Sequence, residues 1–155
     1  MKVIYTDQPI PSDAFNGDSI FLLGPTPRKP EVDSWRPEAL EALSRLKFRG
    51  TVFVPEWSKW GSSCDFQTQT AWERKGLMKS RRIVAWLPRR ITQGMPAFTS
   101  NVEFGYYIAK RPDALYYGRP FWAEECNYLD WLYSHETGRK PSDNLMSLLD
   151  QAIRS

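Results

Sequence analysis

Residues 81–107 read RRIVAWLPRRITQGMPAFTSNVEFGYY, and their order decides the fold. The apolar run from Ile83 to Leu87 has the length and composition of a buried strand. Pro88, Gly94 and Pro96 mark a loop after it. Thr99, Ser100 and Asn101 then lead into an expected helix that holds Glu103 in its first turn, with Gly105 two positions on. Strand, loop and helix in that order make one unit of a parallel α/β sheet. A first-turn carboxylate sits near the positive end of the helix and close to unpaired N–H donors. Glu103 is therefore expected to have a lowered pKa and to stay ionised. An ionised carboxylate fixed at the edge of a parallel sheet suits nucleophilic attack on carbon.

The alternation extends in both directions. Residues 1–10 read as an edge strand or an arm. Ser19 to Leu23 is a short apolar strand ending in Gly24-Pro25. Asp33 or Ser34 can cap a helix over about 37–47, where Leu40, Leu43 and Leu46 recur at three-residue spacing. Thr51 to Val54 is a strand stopped by Pro55, and a helix is expected over 66–79. Residues 114–117 form a further strand, and helices over 124–133 and 143–153 follow. The chain thus reads as one domain, 1–155, of the α/β class. Its expected architecture is a flavodoxin- or Rossmann-like, mainly parallel sheet of four to five strands with helices on both faces. Ligands in such folds bind beyond the C-terminal ends of the strands. The loops 24–33, 55–65, 88–101 and 118–123 are expected to meet there.

Composition narrows the class. The 155 residues are 41% hydrophobic and 25% charged, as in a globular protein with a sizeable core. A net charge of +3 is too small a surplus to argue for nucleic-acid binding. The basic pairs at 81–82 and 89–90 read as solvated loop ends or anion contacts. There is no apolar stretch of membrane length and no secretory signal is read, so a reducing cytoplasm with free Cys64 and Cys126 is the expectation. His135 is the single histidine, which leaves no metal site and little support for a Cys–His nucleophile. Aromatic residues reach 14%, with seven tryptophans. Most should pack in the core or in a subunit interface. Trp57 and Trp60 fall in a Gly/Ser-containing loop, where contact with a planar ligand is the alternative.

Each candidate residue also has an ordinary reading. Glu103 can simply satisfy a helix dipole, Glu73 can be a solvated helix residue, Glu56 a loop charge, and Gly24-Pro25 a plain turn. Convergence argues otherwise. Gly24, Glu56 and Glu103 all lie at or just past strand C-termini, and the helix carrying Glu73 can reach the same edge. Two carboxylates at one pocket fit glycosidic chemistry, one as nucleophile and one as proton donor.

Four segments carry a family resemblance: FLLGPTPR (21–28), TVFVPE (51–56), AWERKGLMKSRRIVAWLPR (71–89) and NVEFGYYIAKRPDALYYGRP (101–120). In this order they resemble the nucleoside 2-deoxyribosyltransferases, in particular a divergent branch with a Trp-Glu helix. The resemblance implies that Glu103 attacks C1′ of a nucleoside and forms a glycosyl ester that a second base or water resolves. It implies that Glu73 orients the sugar or shuttles the base proton, and that Gly24 and Pro25 form the turn beneath the sugar. Asn101, with Ser100, stands near the ribose. Phe21 stands where the main branch often has Tyr, and the 88–100 loop lacks that branch's acidic residue. Implied partners are nucleosides and free nucleobases, with no metal or organic cofactor, no nucleic acid and no membrane. A homo-oligomer with a shared active site is also implied, for which Trp122, Tyr128, Trp131 and Tyr133 offer an aromatic surface.

Other readings stay open. Thr99, Ser100 and the helix-start N–H groups, helped by Arg89 and Arg90, can hold the phosphate of a nucleoside 5′-monophosphate, which would make the protein a hydrolase. A nucleotide-binding module without chemistry is a further alternative. No G-x-G-x-x-G follows the first strand, which speaks against a dinucleotide-dependent redox protein.

Overall fold

The computed structural model describes residues 1–59 and 65–155. Trp60 and Cys64, singled out above, lie outside the described residues. The elements run β1 (Lys2–Tyr5), β2 (Ser19–Leu23), α1 (Arg36–Arg45), β3 (Thr51–Val54), α2 (Phe66–Lys79), β4 (Arg82–Trp86), α3 (Phe98–Lys110), β5 (Leu115–Gly118), α4 (Asn127–Thr137) and α5 (Leu145–Arg154). Among the described residues the strands form one parallel sheet in the order β1-β3-β2-β4-β5, an α/β fold of Rossmann-like type. The expected fold class holds, and residues 1–10 supply the edge strand.

Strand composition explains the layering. Every residue of β2 and β4 is buried, so these central strands show no polar alternation. Side chains still point to opposite faces in turn. Phe21 and Leu23 enter one core with Trp72, Phe104 and Tyr133, while Ile20 and Leu22 enter the other with Trp35, Leu43 and Leu148. Helices α2, α3 and α4 therefore cover one face, and α1 and α5 the other. Strand order reverses at β2, where the chain moves out to β3 and then back across to β4. The C-terminal ends of these strands border a switch point, the usual ligand crevice of open α/β sheets.

Several local expectations are corrected. Helix α3 begins at Phe98, after Ala97 in a left-handed conformation, and neither Thr99 nor Ser100 caps it by its side chain. Helix α1 begins at Arg36, and Ser34 accepts that residue's backbone N–H at 3.1 Å. Helix α4 starts at Asn127, three residues later than expected, because residues 120–125 form turns that include Glu125 at positive φ. The basic pairs are not simply solvated loop ends. Arg82 is buried against Asp18 and the Ser155 carbonyl, and Arg89 is buried with the Glu125 carbonyl and Asn101 as acceptors. Among the described residues no helix is long and apolar enough to cross a membrane.

Candidate active site

The ends of β2 and β3 and the start of α3 enclose a cavity of about 650 Å³, walled on the remaining side by α2. Gly24, Pro25 and Thr26 follow β2, Pro55 and Trp57 follow β3, and Pro96 to Ser100 lead into α3. Glu73, from α2, and Glu103, from α3, both open into this space. Two glycines permit the arrangement. A β-carbon on Gly24 would collide with the Trp86 carbonyl and lie 2.8 Å from the Trp35 ring, so only glycine fits this turn. A β-carbon on Gly76 would lie 2.7 Å from the Phe21 ring, so glycine lets α2 settle onto the sheet one turn beyond Glu73. Trp72, next to Glu73, is buried and its indole N–H donates to the Gln8 carbonyl at 3.0 Å. Neighbouring helical side chains diverge by about 100°, so Trp72 anchors the helix while Glu73 faces the cavity.

The electrostatics differ from the sequence expectation. Glu103 lies in the second turn of α3, not the first, because the helix starts at Phe98. Burial, followed by the charge of Glu73, pushes its carboxyl up to about 7, with Arg36 opposing. The helix dipole falls off within the first turn and does not rescue a residue placed one turn in. Burial also raises Glu73, opposed by a 2.9 Å hydrogen bond from Gln69 and by Arg36. Two half-buried carboxyls that feel each other do not both ionise readily near neutrality, so the pair tends to keep one proton. Because the Glu73 charge is one of the causes that raise Glu103, that proton rests on Glu103, and the pair holds one carboxylate and one carboxylic acid, the two species that glycosidic bond cleavage uses.

Of the candidate residues read from the sequence, Gly24, Pro25, Trp57, Glu73, Ser100 and Glu103 line the cavity. Glu56 and Asn101 do not. Glu56 accepts from Ser34 at 2.7 Å and from Arg36, and Asn101 accepts from Arg89. Both carboxylate and amide are thus committed to holding buried arginines. The 118–123 loop does not line the cavity, and neither do Arg89 and Arg90, the latter packing over the Trp122 ring at 4.3 Å. Sequence reasoning missed Arg36, which lines the cavity while only 1% exposed. A cation in the first turn of a helix opposes the dipole. Arg36 at the start of its helix was therefore a legible sign that this residue serves another purpose.

Residues 17–120 match the family model described as nucleoside 2-deoxyribosyltransferase like, and the chain belongs to that family. The match runs from before β2 to just past β5, so it contains every residue that lines the cavity. Membership supports a related glycosyl-transfer function. No curated protein sequence matches the chain.

Proposed function

We propose that the protein transfers a 2-deoxyribosyl group between nucleobases through an ester on Glu103. The observation that carries this reading is the pair of carboxyls, Glu73 and Glu103, opening from different helices into one cavity in a chain of this family. With the shared proton passed from Glu103 to Glu73, a Glu103 carboxylate oxygen bonds to C1′ as the C1′–N bond breaks. The bonding pair leaves on the base nitrogen, which takes a proton from Glu73. An incoming base nitrogen then attacks C1′, its N–H proton passes to Glu73, and the ester bond breaks to return the Glu103 carboxylate. Trp57, partly exposed at the cavity, offers a surface on which a base can stack.

A second reading rests on a specific observation. Arg28 and Arg74 also line the cavity, Arg28 over the Phe98 ring at the start of α3, where the first helical N–H groups lack intrahelical partners, and Arg74 over Tyr106 further along. These groups favour a nucleoside 5′-monophosphate with water as acceptor. Incubation of deoxyinosine, and in parallel of its 5′-monophosphate, with free adenine, followed by chromatography, separates the readings. Formation of deoxyadenosine supports transfer, whereas turnover only of the 5′-phosphate, with sugar phosphate as product, supports hydrolysis. Binding of either without turnover identifies a non-catalytic module. Glu103→Ala should lower turnover by ~10³-fold or more, the scale of removing a covalent step, without unfolding the chain.

We also propose a homo-oligomer. Phe66, Phe98, Val102 and Tyr106 stand around the cavity as exposed apolar side chains, and Phe66 is 82% exposed. A second copy would cover this rim and help exclude water. A sedimenting monomer at micromolar concentration would oppose that assembly.

A further inference from the structure

The deepest charge in the site is not a carboxylate. Arg36 is fully buried at the start of α1, and its guanidinium is held on several sides. Its Nε donates to the Leu22 carbonyl at 3.2 Å, and one terminal nitrogen to the Gly24 carbonyl at 2.7 Å. The other terminal nitrogen donates to the Pro25 carbonyl, to Thr26 Oγ1 and to Glu56. The neighbouring Trp35 donates its indole N–H to the same Pro25 carbonyl, and the guanidinium lies 4.9 Å from the Trp35 ring. Three carbonyls of the β2 exit thus converge on one planar cation, which no ammonium can bind in this geometry.

An internal Glu56 partner would account for a purely structural ion pair. The surroundings go further, because Arg36 also lines the cavity into which Glu73 and Glu103 open. Its attraction for both carboxylates opposes their burial. Resting on the transfer reading above, we propose that Arg36 is the positioning residue of this site, fixing the Gly24–Thr26 turn beneath the sugar and placing a buried positive charge in the cavity that Glu73 and Glu103 share. Glu56, outside the cavity, tunes that charge by sharing it. The titratable groups that face Glu103 are Glu73 from α2, Arg36 from α1 and Tyr107 from its own helix, while Arg28 and Arg74 line other parts of the same cavity.

The test measures the Glu103 midpoint by ¹³C-carboxyl NMR, assigned with Glu103→Gln, together with the pH profile of base exchange. It uses the full chain as wild type, Arg36→Gln, Arg36→Lys and Glu56→Gln. Arg36→Gln should raise the midpoint by about one unit, a tenfold loss of ionised Glu103 at acidic pH. Arg36→Lys should leave the midpoint near wild type but raise KM, since the charge stays and the fork that fixes the turn is lost. Glu56→Gln should lower the midpoint, because it removes a competing negative charge. A folded Arg36→Gln whose midpoint is unchanged or lowered overturns the proposal. If Arg36→Gln does not fold, Glu56→Gln decides, and an unmoved or raised midpoint overturns it. Failure of the transfer reading looks different: the wild type exchanges no base, while the midpoints still move.

Discussion

The Phe21 ring of β2 lies directly against Gly76 of α2, so close that a β-carbon on Gly76 would sit 2.7 Å from two ring atoms. Phe21 is fully buried and has no room to retreat. The contact sets the height of α2 above the sheet, and with it the reach of Glu73 into the cavity. Gly76→Val should therefore destabilise the fold by about 1–3 kcal/mol through overpacking. It should lower turnover further than the loss of folded protein explains. Adding Phe21→Leu should recover melting temperature. A Gly76→Val chain with wild-type Tm and wild-type kcat would show that the helix has slack there.

Glu103 links the site to stability. Its folded carboxyl titrates at about 7 against an ordinary 4.5, so between these values the folded chain binds more protons than the unfolded chain. Stability attributable to this group is retained below about pH 4.5 and lost as pH rises toward 7. The loss above neutrality is at most ~3 kcal/mol, reduced by the exposure the carboxyl keeps. Glu103→Gln should thus raise Tm at pH 8 and leave it nearly unchanged at pH 4. Equal Tm differences at both pH values would place the effect in packing rather than charge.

Glu73 should act on the departing base. Its replacement by Gln removes the proton donor and also one cause of the raised Glu103 carboxyl. Two signatures follow for Glu73→Gln. Ordinary nucleosides should react ~10²-fold or more slowly, the usual scale of general acid catalysis, while a p-nitrophenyl deoxyriboside, whose leaving group needs no proton, should be far less affected. The acidic limb of the remaining activity should move to lower pH. Equal losses for both leaving groups would assign Glu73 to sugar binding instead.

The strands were legible because β2, β3 and β4 are short apolar runs stopped by Gly24, Pro55 and Leu87-Pro88, and the parallel sheet followed from their alternation with helices. Glu103 was legible as a site residue for a reason that proved wrong in detail. The polar run from Thr99 to Asn101 points to a helix start there, but the turn at Ala97 starts α3 at Phe98, so Glu103 falls one turn deeper and burial outweighs the dipole. Glu56 and Asn101 look in sequence like ligand-facing polar residues. Their acceptors are taken by Arg36 and Arg89, a pairing between segments that no local pattern encodes. Arg36 escaped notice for the same reason, although its place at the wrong end of a helix was visible.

The choice of acceptor should turn on Trp57. Transfer outruns hydrolysis only if a base holds the acceptor position against water, and the cavity mouth is apolar where Trp57, Phe66, Phe98 and Tyr106 meet it. Stacking on such a surface contributes about 1–3 kcal/mol per base. The opposing feature is the pair Arg28 and Arg74, which favour a phosphate, yet Arg28 packs over the Phe98 ring at 5.5 Å and Arg74 over Tyr106 at 5.9 Å. Both guanidinium planes can therefore serve as stacking surface as well as charge. With free adenine present, deoxyinosine should yield deoxyadenosine faster than free deoxyribose. Trp57→Ala should raise the KM for the acceptor base by ~10-fold and shift product toward the free sugar, with little change in the rate at which the first base departs. If wild type and Trp57→Ala give the same ratio of transfer to hydrolysis, the acceptor is held elsewhere. If the nucleoside is consumed at one rate with and without adenine and yields only free sugar, water is the acceptor.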